Sequence, residues 1–504
     1  MSQAAYDSVL CHAPVSFRRA AAYLVVVLLA AWGLAGHAFH VDGTVLRDEH
    51  AVMSLELALV RAFCGAPSSY SSAVRVIPVV RNAIALRHVP LRTLIVQRAS
   101  SLDEYCRQAD QPVVNNENSL MLIESAILRM RPDLSLSGLG QALHVLRLAG
   151  LTVFVFLVLT LGGSLLLALG AMLCGLITLN AMSDFIYSAY PFLFVVVLVL
   201  ASGYAFALRH DWTRRWPAAI LACGGAGVFS ALVANMRTSY LPVVAAFLVA
   251  FVTARWWLGG RPSRTHEGVL AVVILAAWVA GYGAFQIGLI TRHVPADRTD
   301  GLSHSIAHPL VLALSVPETA FSRELGLRWD DAVGPQIALR IDPSVTYLSR
   351  GYHAALMQYY RTLWADQPGR MIGVYQTKFA VAGSDMLHVL RHSPGPTGLL
   401  LALLLAPMDW WSRAVWLVVT EAAIAAFGAF LFVRGRSVAA FALVLLSTAA
   451  ALLQIEAGII YSLFVQQYHN YSAFFVMFIS LAGLQALANR VARIMAPVAT
   501  GQGS

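Results

Sequence analysis

Uncharged apolar runs of membrane-crossing length constrain this chain more than any other feature. Ala21 to Gly36, "AAYLVVVLLAAWGLAG", and Phe192 to Ala207, "FLFVVVLVLASGYAFA", approach the roughly 20 residues that carry a helix across about 30 Å of hydrocarbon. Such runs recur along all 504 residues, and only 12% of the chain is charged, against roughly 25% in a soluble protein. The expected fold is therefore an all-α polytopic membrane protein. Its formal net charge of +9 sits mainly in short loops between the apolar runs, which reads as a topology signal and not as affinity for nucleic acid.

Ten spans are predicted, near 20–39, 145–162, 164–183, 190–208, 216–234, 239–256, 268–290, 413–433, 437–460 and 471–489. Residues 145–183 read either as a hairpin turning at Gly162 and Gly163 or as one bent helix. Arg18 and Arg19 before an uncleaved first span place the N-terminus in the cytoplasm. Arg209, Arg214 and Arg215, then Arg255, Arg261 and Arg264, then Arg434 and Arg436, then Arg490 and Arg493 fall on the same side. The apolar patch 398–406 is too short to span and is predicted to be interfacial or re-entrant. The expected organisation is a tail and first span (1–39), a first outer loop (40–144), spans two to seven (145–290), a second outer segment (291–412), and spans eight to ten with a tail (413–504).

The first outer loop opens with adjacent carboxylates, Asp48 and Glu49, at the head of "EHAVMSLELALVRAF", whose apolar spacing predicts an amphipathic helix on the bilayer surface. Two roles fit these acids. They can cap that helix, or one of them can take a proton from an acceptor hydroxyl, its pKa raised by burial. The same loop closes with "NNENSLMLIESAILR". There Asn115, Asn116 and Asn118 surround Glu117 with groups suited to sugar hydroxyls, or to a solvated turn, and Glu124 follows two helical turns on. Cys64 and Cys106 are the one pair placed to form a disulfide, if the loop faces an oxidising space; two free thiols are the alternative.

The order of first span, loop opening with Asp-Glu, surface helix, second helix and "LHVLRLAG" entering the next span resembles the GT-C superfamily of membrane glycosyltransferases. That superfamily includes aminoarabinose transferases and protein O-mannosyltransferases. The resemblance covers mainly residues 20–150. It implies a GT-C-like fold of about ten spans with two large periplasmic segments in a bacterial inner membrane. It also implies a polyprenyl-phosphate-linked sugar as donor and a glycan, lipid or protein as acceptor. The family's catalytic base is an Asp, often within Asp-Glu, in the first outer loop, and Asp48 and Glu49 are the matching positions. A proline-containing segment common in the family is replaced here by "NNENSLMLIES", which makes Glu117 a rival base. No cofactor is indicated, although a divalent metal is compatible.

The second outer segment offers cations for a lipid phosphate: Arg328, Arg350, His353, Arg361, Arg370 and Lys378, the only lysine in the chain. Trp329, Asp330 and Asp331 suit a sugar ring, or a plain surface turn. His304 and His308 have metal-ligand spacing, but a phosphate contact or a structural polar pair is the stronger expectation. Polar residues in or beside spans normally face a cavity or a partner. They include Asp184, Arg237, Gln454, Glu456 and His469, of which Arg237 and His469 are placed to assist the phosphate. Two other functions fit the chain: an O-antigen polymerase or ligase, which does not need Asp48, and a transporter or flippase, which places charges in broken, repeated helices.

Overall fold

The computed structural model describes residues 16–36, 55, 58–64, 86–108, 118–183, 189–208, 216–236, 240–258, 264–293, 306–347, 349–381, 414–435, 437–459 and 471–485. Among these the chain is helical throughout, with a lone bridge between Pro90 and Ser135. Eight helices are long and apolar enough to cross a membrane: α1 (Phe17–Ala35), α5 (Leu136–Thr160), α7 (Ala189–Ala207), α8 (Trp216–Met236), α9 (Leu241–Leu258), α10 (Arg264–His293), α16 (Ala414–Gly435) and α17 (Val438–Ile459). Two of the ten expected spans are shorter apolar helices, within α6 (Leu165–Ser183) and in α18 (Tyr471–Gln485).

Burial follows composition. Helix α7 is apolar all round, and 15 of its residues are buried, so it forms the axis against which α5 and α17 pack. Helices α1, α10 and α16 keep most of their apolar side chains on the outside, as lipid-facing helices do. Without a hydrophobic force between helices in lipid, close packing holds them. Helix α8 meets α10 through small residues: a Cβ on Gly281 would strike the Gly224 carbonyl, and one on Gly227 the Trp278 carbonyl.

The chain turns at residues 161–164, so 145–183 is a helix, a turn and a second helix packed on the first. Ser164 starts the second by accepting from the Leu167 N–H. Helix α5 begins at Leu136, nine residues before the apolar window, because Ser135 accepts from the Gly138 N–H and starts the helix there.

Two helical segments follow α1 and α10, and the end of the bundle that carries the first is its loop face. The first contributes a helical stretch at 58–63, α2 (Leu91–Ala99), α3 (Leu102–Gln108) and α4 (Asn118–Met130). Leu55 and Leu59 are buried on the inner face of the first stretch. A disulfide joins Cys64 to Cys106, and Arg129 donates to the Arg61 carbonyl at 2.6 Å. The apolar side chains of this segment merge with the core of the bundle.

The second segment builds a core of its own from α11 (Ala307–Leu312), α12 (Ala320–Glu324), α13 (Val333–Ile341), α14 (Arg350–Asp366) and α15 (Pro368–Val381). Helix α15 rests on α16 and α17. The apolar patch 398–406 lies outside the described residues.

Candidate functional site

Helix α4 buries Leu120, Glu124, Ile127 and Leu128, the stripe expected of a helix pressed onto others, and it packs against α5 and α8. The stripe carries an acid inward: Glu124 is 0% exposed. Facing it on α5 is Arg147, 2% exposed, with His144, 3% exposed, one turn earlier on the same helix. The Arg147 guanidinium lies 4.7 Å from the Phe192 ring centroid, and the charge acting on it is the Glu124 carboxylate. A buried arginine over a ring face and beside a carboxylate is desolvated yet compensated. An acid and a guanidinium thus meet where the first segment joins the bundle, and an imidazole is buried one turn along α5. Such a trio can hold an anion and move a proton.

A second cluster lies in the 307–381 subdomain. Ser349 caps α14 by accepting from the Tyr352 N–H, which turns the Tyr352 ring into the core. Its hydroxyl lies 2.5 Å from His308 Nδ1, and His308 Nε2 lies 3.1 Å from Asp331 Oδ1. Burial, with Tyr347 and Asp331 adding to it, pushes the Tyr352 phenol well above the usual tyrosine range. Tyr352 therefore keeps its proton and donates it to Nδ1, and His308 donates Nε2–H to Asp331. The arrangement needs glycine at 334, because a Cβ there would meet the Tyr352 hydroxyl and sit 3.0 Å from the imidazole. Asp331 is held by a buried pair while its own side chain is 69% exposed. Tyr347 packs edge-on against Tyr352, and burial and then Asp331 push its phenol up to about 12.

Lys378 marks the seam between subdomain and bundle. Its buried ammonium donates to the carbonyls of Ala313, at 2.9 Å, and Ile459, at 3.0 Å, the last residue of α17. Burial pushes it down to about 7.

Of the residues singled out from sequence, Asp48, Glu49, Asn115, Asn116, Glu117, Asp184, Arg237, His304 and His469 lie outside the described residues. Asn118 opens α4. Trp329 and Asp330 share a turn with Asp331, where Asp330 accepts from the Ala332 N–H at 2.9 Å, the surface-turn role. Arg328 and Arg350 are exposed, and His353 packs its ring against Tyr352. The cations expected to hold one phosphate are thus spread over the subdomain, with Lys378 committed to main-chain carbonyls. Arg370 is likewise engaged, by Glu324 and over the Phe321 ring. Sequence reading passed over Arg147 and His144, although an arginine inside an apolar run is itself a signal.

Comparison with protein-family models, with curated proteins and with solved structures finds no match to this chain.

Proposed function

We propose that the protein is an integral membrane glycosyltransferase of the GT-C kind, moving a sugar from a polyprenyl-phosphate donor to a glycan, lipid or protein acceptor at the loop face. The observation that carries this reading is the burial of Glu124, His144 and Arg147 together where the first segment enters the bundle. Transfer by direct displacement needs a carboxylate to take the acceptor's proton as its oxygen bonds to the anomeric carbon. It also needs a cation beside the phosphate, which leaves with the electrons of the broken carbon–oxygen bond. Asp48, Glu49 or Glu117 is the proposed base. Arg147, within the trio, is the proposed partner of the phosphate, and the exposed Arg328 and Arg350 are auxiliaries.

The disulfide between Cys64 and Cys106 supports an oxidising compartment at the loop face, the periplasm in a bacterial inner membrane. The test is sugar transfer from radiolabelled polyprenyl-phosphate sugars in proteoliposomes, with flux of the same lipid followed in parallel. Asp48→Asn and Glu117→Gln together should abolish transfer. Transfer that survives both but fails in Arg147→Met points to the polymerase or ligase class. A transporter is favoured by one observation, the buried Glu421 in α16; flux without transfer would establish it.

A further inference from the structure

Helix α16 exposes most of its surface but buries one stripe, Glu421, Gly428 and Phe432, with Ala425 partly covered between them. The stripe therefore presents a carboxylate to the bundle interior. The Ser472 hydroxyl, at the start of α18, lies within reach of that carboxyl, and Tyr471 is near enough to feel its charge. Gly428 packs on Val444; seven residues back along α16 and seven on along α17, Glu421 is level with residue 451, within a turn of Gln454. All four side chains are 0% exposed. Both carboxyl oxygens of Glu421, both amide atoms of Gln454 and the hydroxyls of Tyr471 and Ser472 have no hydrogen-bond partner among the described residues.

Six orphaned polar atoms from three helices in an apolar bundle are too costly to leave unsatisfied, so something other than the polypeptide completes them. Complete burial limits the occupant to the size of a water or a bare ion. Water leaves the charge of a buried carboxylate uncompensated, so the group is neutralised by a proton or by a cation, and where it ionises the ion is selected. The donors are oxygens, which suit a hard cation; softer metals would call for imidazole or thiolate.

We propose that Glu421, Gln454, Tyr471 and Ser472 form an occluded binding site for a small monovalent cation, sodium-like in its preference for oxygen. The proposal does not depend on what the loop face transfers.

The purified full-length protein, unfolded thermally at pH 8 in sodium, potassium or choline chloride of equal ionic strength, tests this. Sodium should raise Tm over choline by about 3 °C or more, with a smaller rise in potassium. Radioactive sodium should bind at about one ion per chain. Glu421→Gln should keep a cooperative transition and lose both effects. If that variant does not fold, Tyr471→Phe and Ser472→Ala, which keep the carboxylate, should each weaken sodium binding several-fold. Coincident wild-type curves in sodium and choline overturn the proposal. So does a sodium response unchanged in Glu421→Gln, or in both hydroxyl variants, because water or a proton then fills the site.

Discussion

Lys378 Nζ donates to the carbonyl of Ile459, so the only lysine in the chain closes the C-terminal end of a membrane-type helix. The geometry is favourable, because a cation there meets the negative end of the helix dipole and an orphan carbonyl. Lys378→Met should loosen the 307–381 subdomain from α17, and limited proteolysis should then cut near 381 faster than in the wild type.

The same lysine sets a pH dependence. Burial lowers its folded pKa to about 7 from 10.5, so between those values the unfolded chain binds the extra proton and stability rises with pH. Below about pH 7 both states are protonated and the contribution is flat. The Tm of the wild type relative to Lys378→Met should therefore climb from about pH 7 to about pH 10. A difference that falls over this range would contradict the assignment.

Glu124 and Arg147 stabilise each other in a setting where neither is tolerated alone. Glu124→Gln or Arg147→Met should each destabilise by about 3–5 kcal/mol, and the double variant should recover part of that loss, because it removes the uncompensated charge. Thermal unfolding of the three variants in detergent reads the coupling.

Gly334→Ala should destabilise the subdomain by about 1–3 kcal/mol, since the new methyl group meets the Tyr352 hydroxyl and the His308 ring. Adding Tyr352→Phe removes the nearer clash and should recover part of the loss. A double variant less stable than Gly334→Ala would show that the hydroxyl's bond to His308 outweighs the crowding.

The disulfide closes a loop of sequence separation 42, which corresponds to a chain-entropy stabilisation of about 4 kcal/mol. Cys64→Ser and Cys106→Ser should each lower Tm. Reductant should lower the wild-type Tm to a similar level and leave both variants unchanged.

The membrane-type helices were legible because length and lack of charge suffice to mark them, and eight of the expected spans coincide with helices of spanning length. Their ends were less so. The start of α5 at Leu136 is set by Ser135, a single capping residue ahead of the apolar window. The side-chain clusters were legible only as ingredients. Glu124 and Arg147 lie on different helices, and His308 meets Tyr352 across 44 positions, a pairing that no local spacing encodes. His308 was noticed for its distance from His304, whereas its partners in the fold are a tyrosine and an aspartate. Gln454 stood out as a polar residue in a span, but no local spacing ties it to Glu421, Tyr471 and Ser472 on other helices.

The two intervening segments differ in what they share with the helices beneath them. The first is welded to the bundle by a common interior, so changing it means changing the helices. The second brings its own interior and touches the bundle through one helix and a lysine tether. Repacking inside residues 307–381 therefore need not disturb the interior of the long helices.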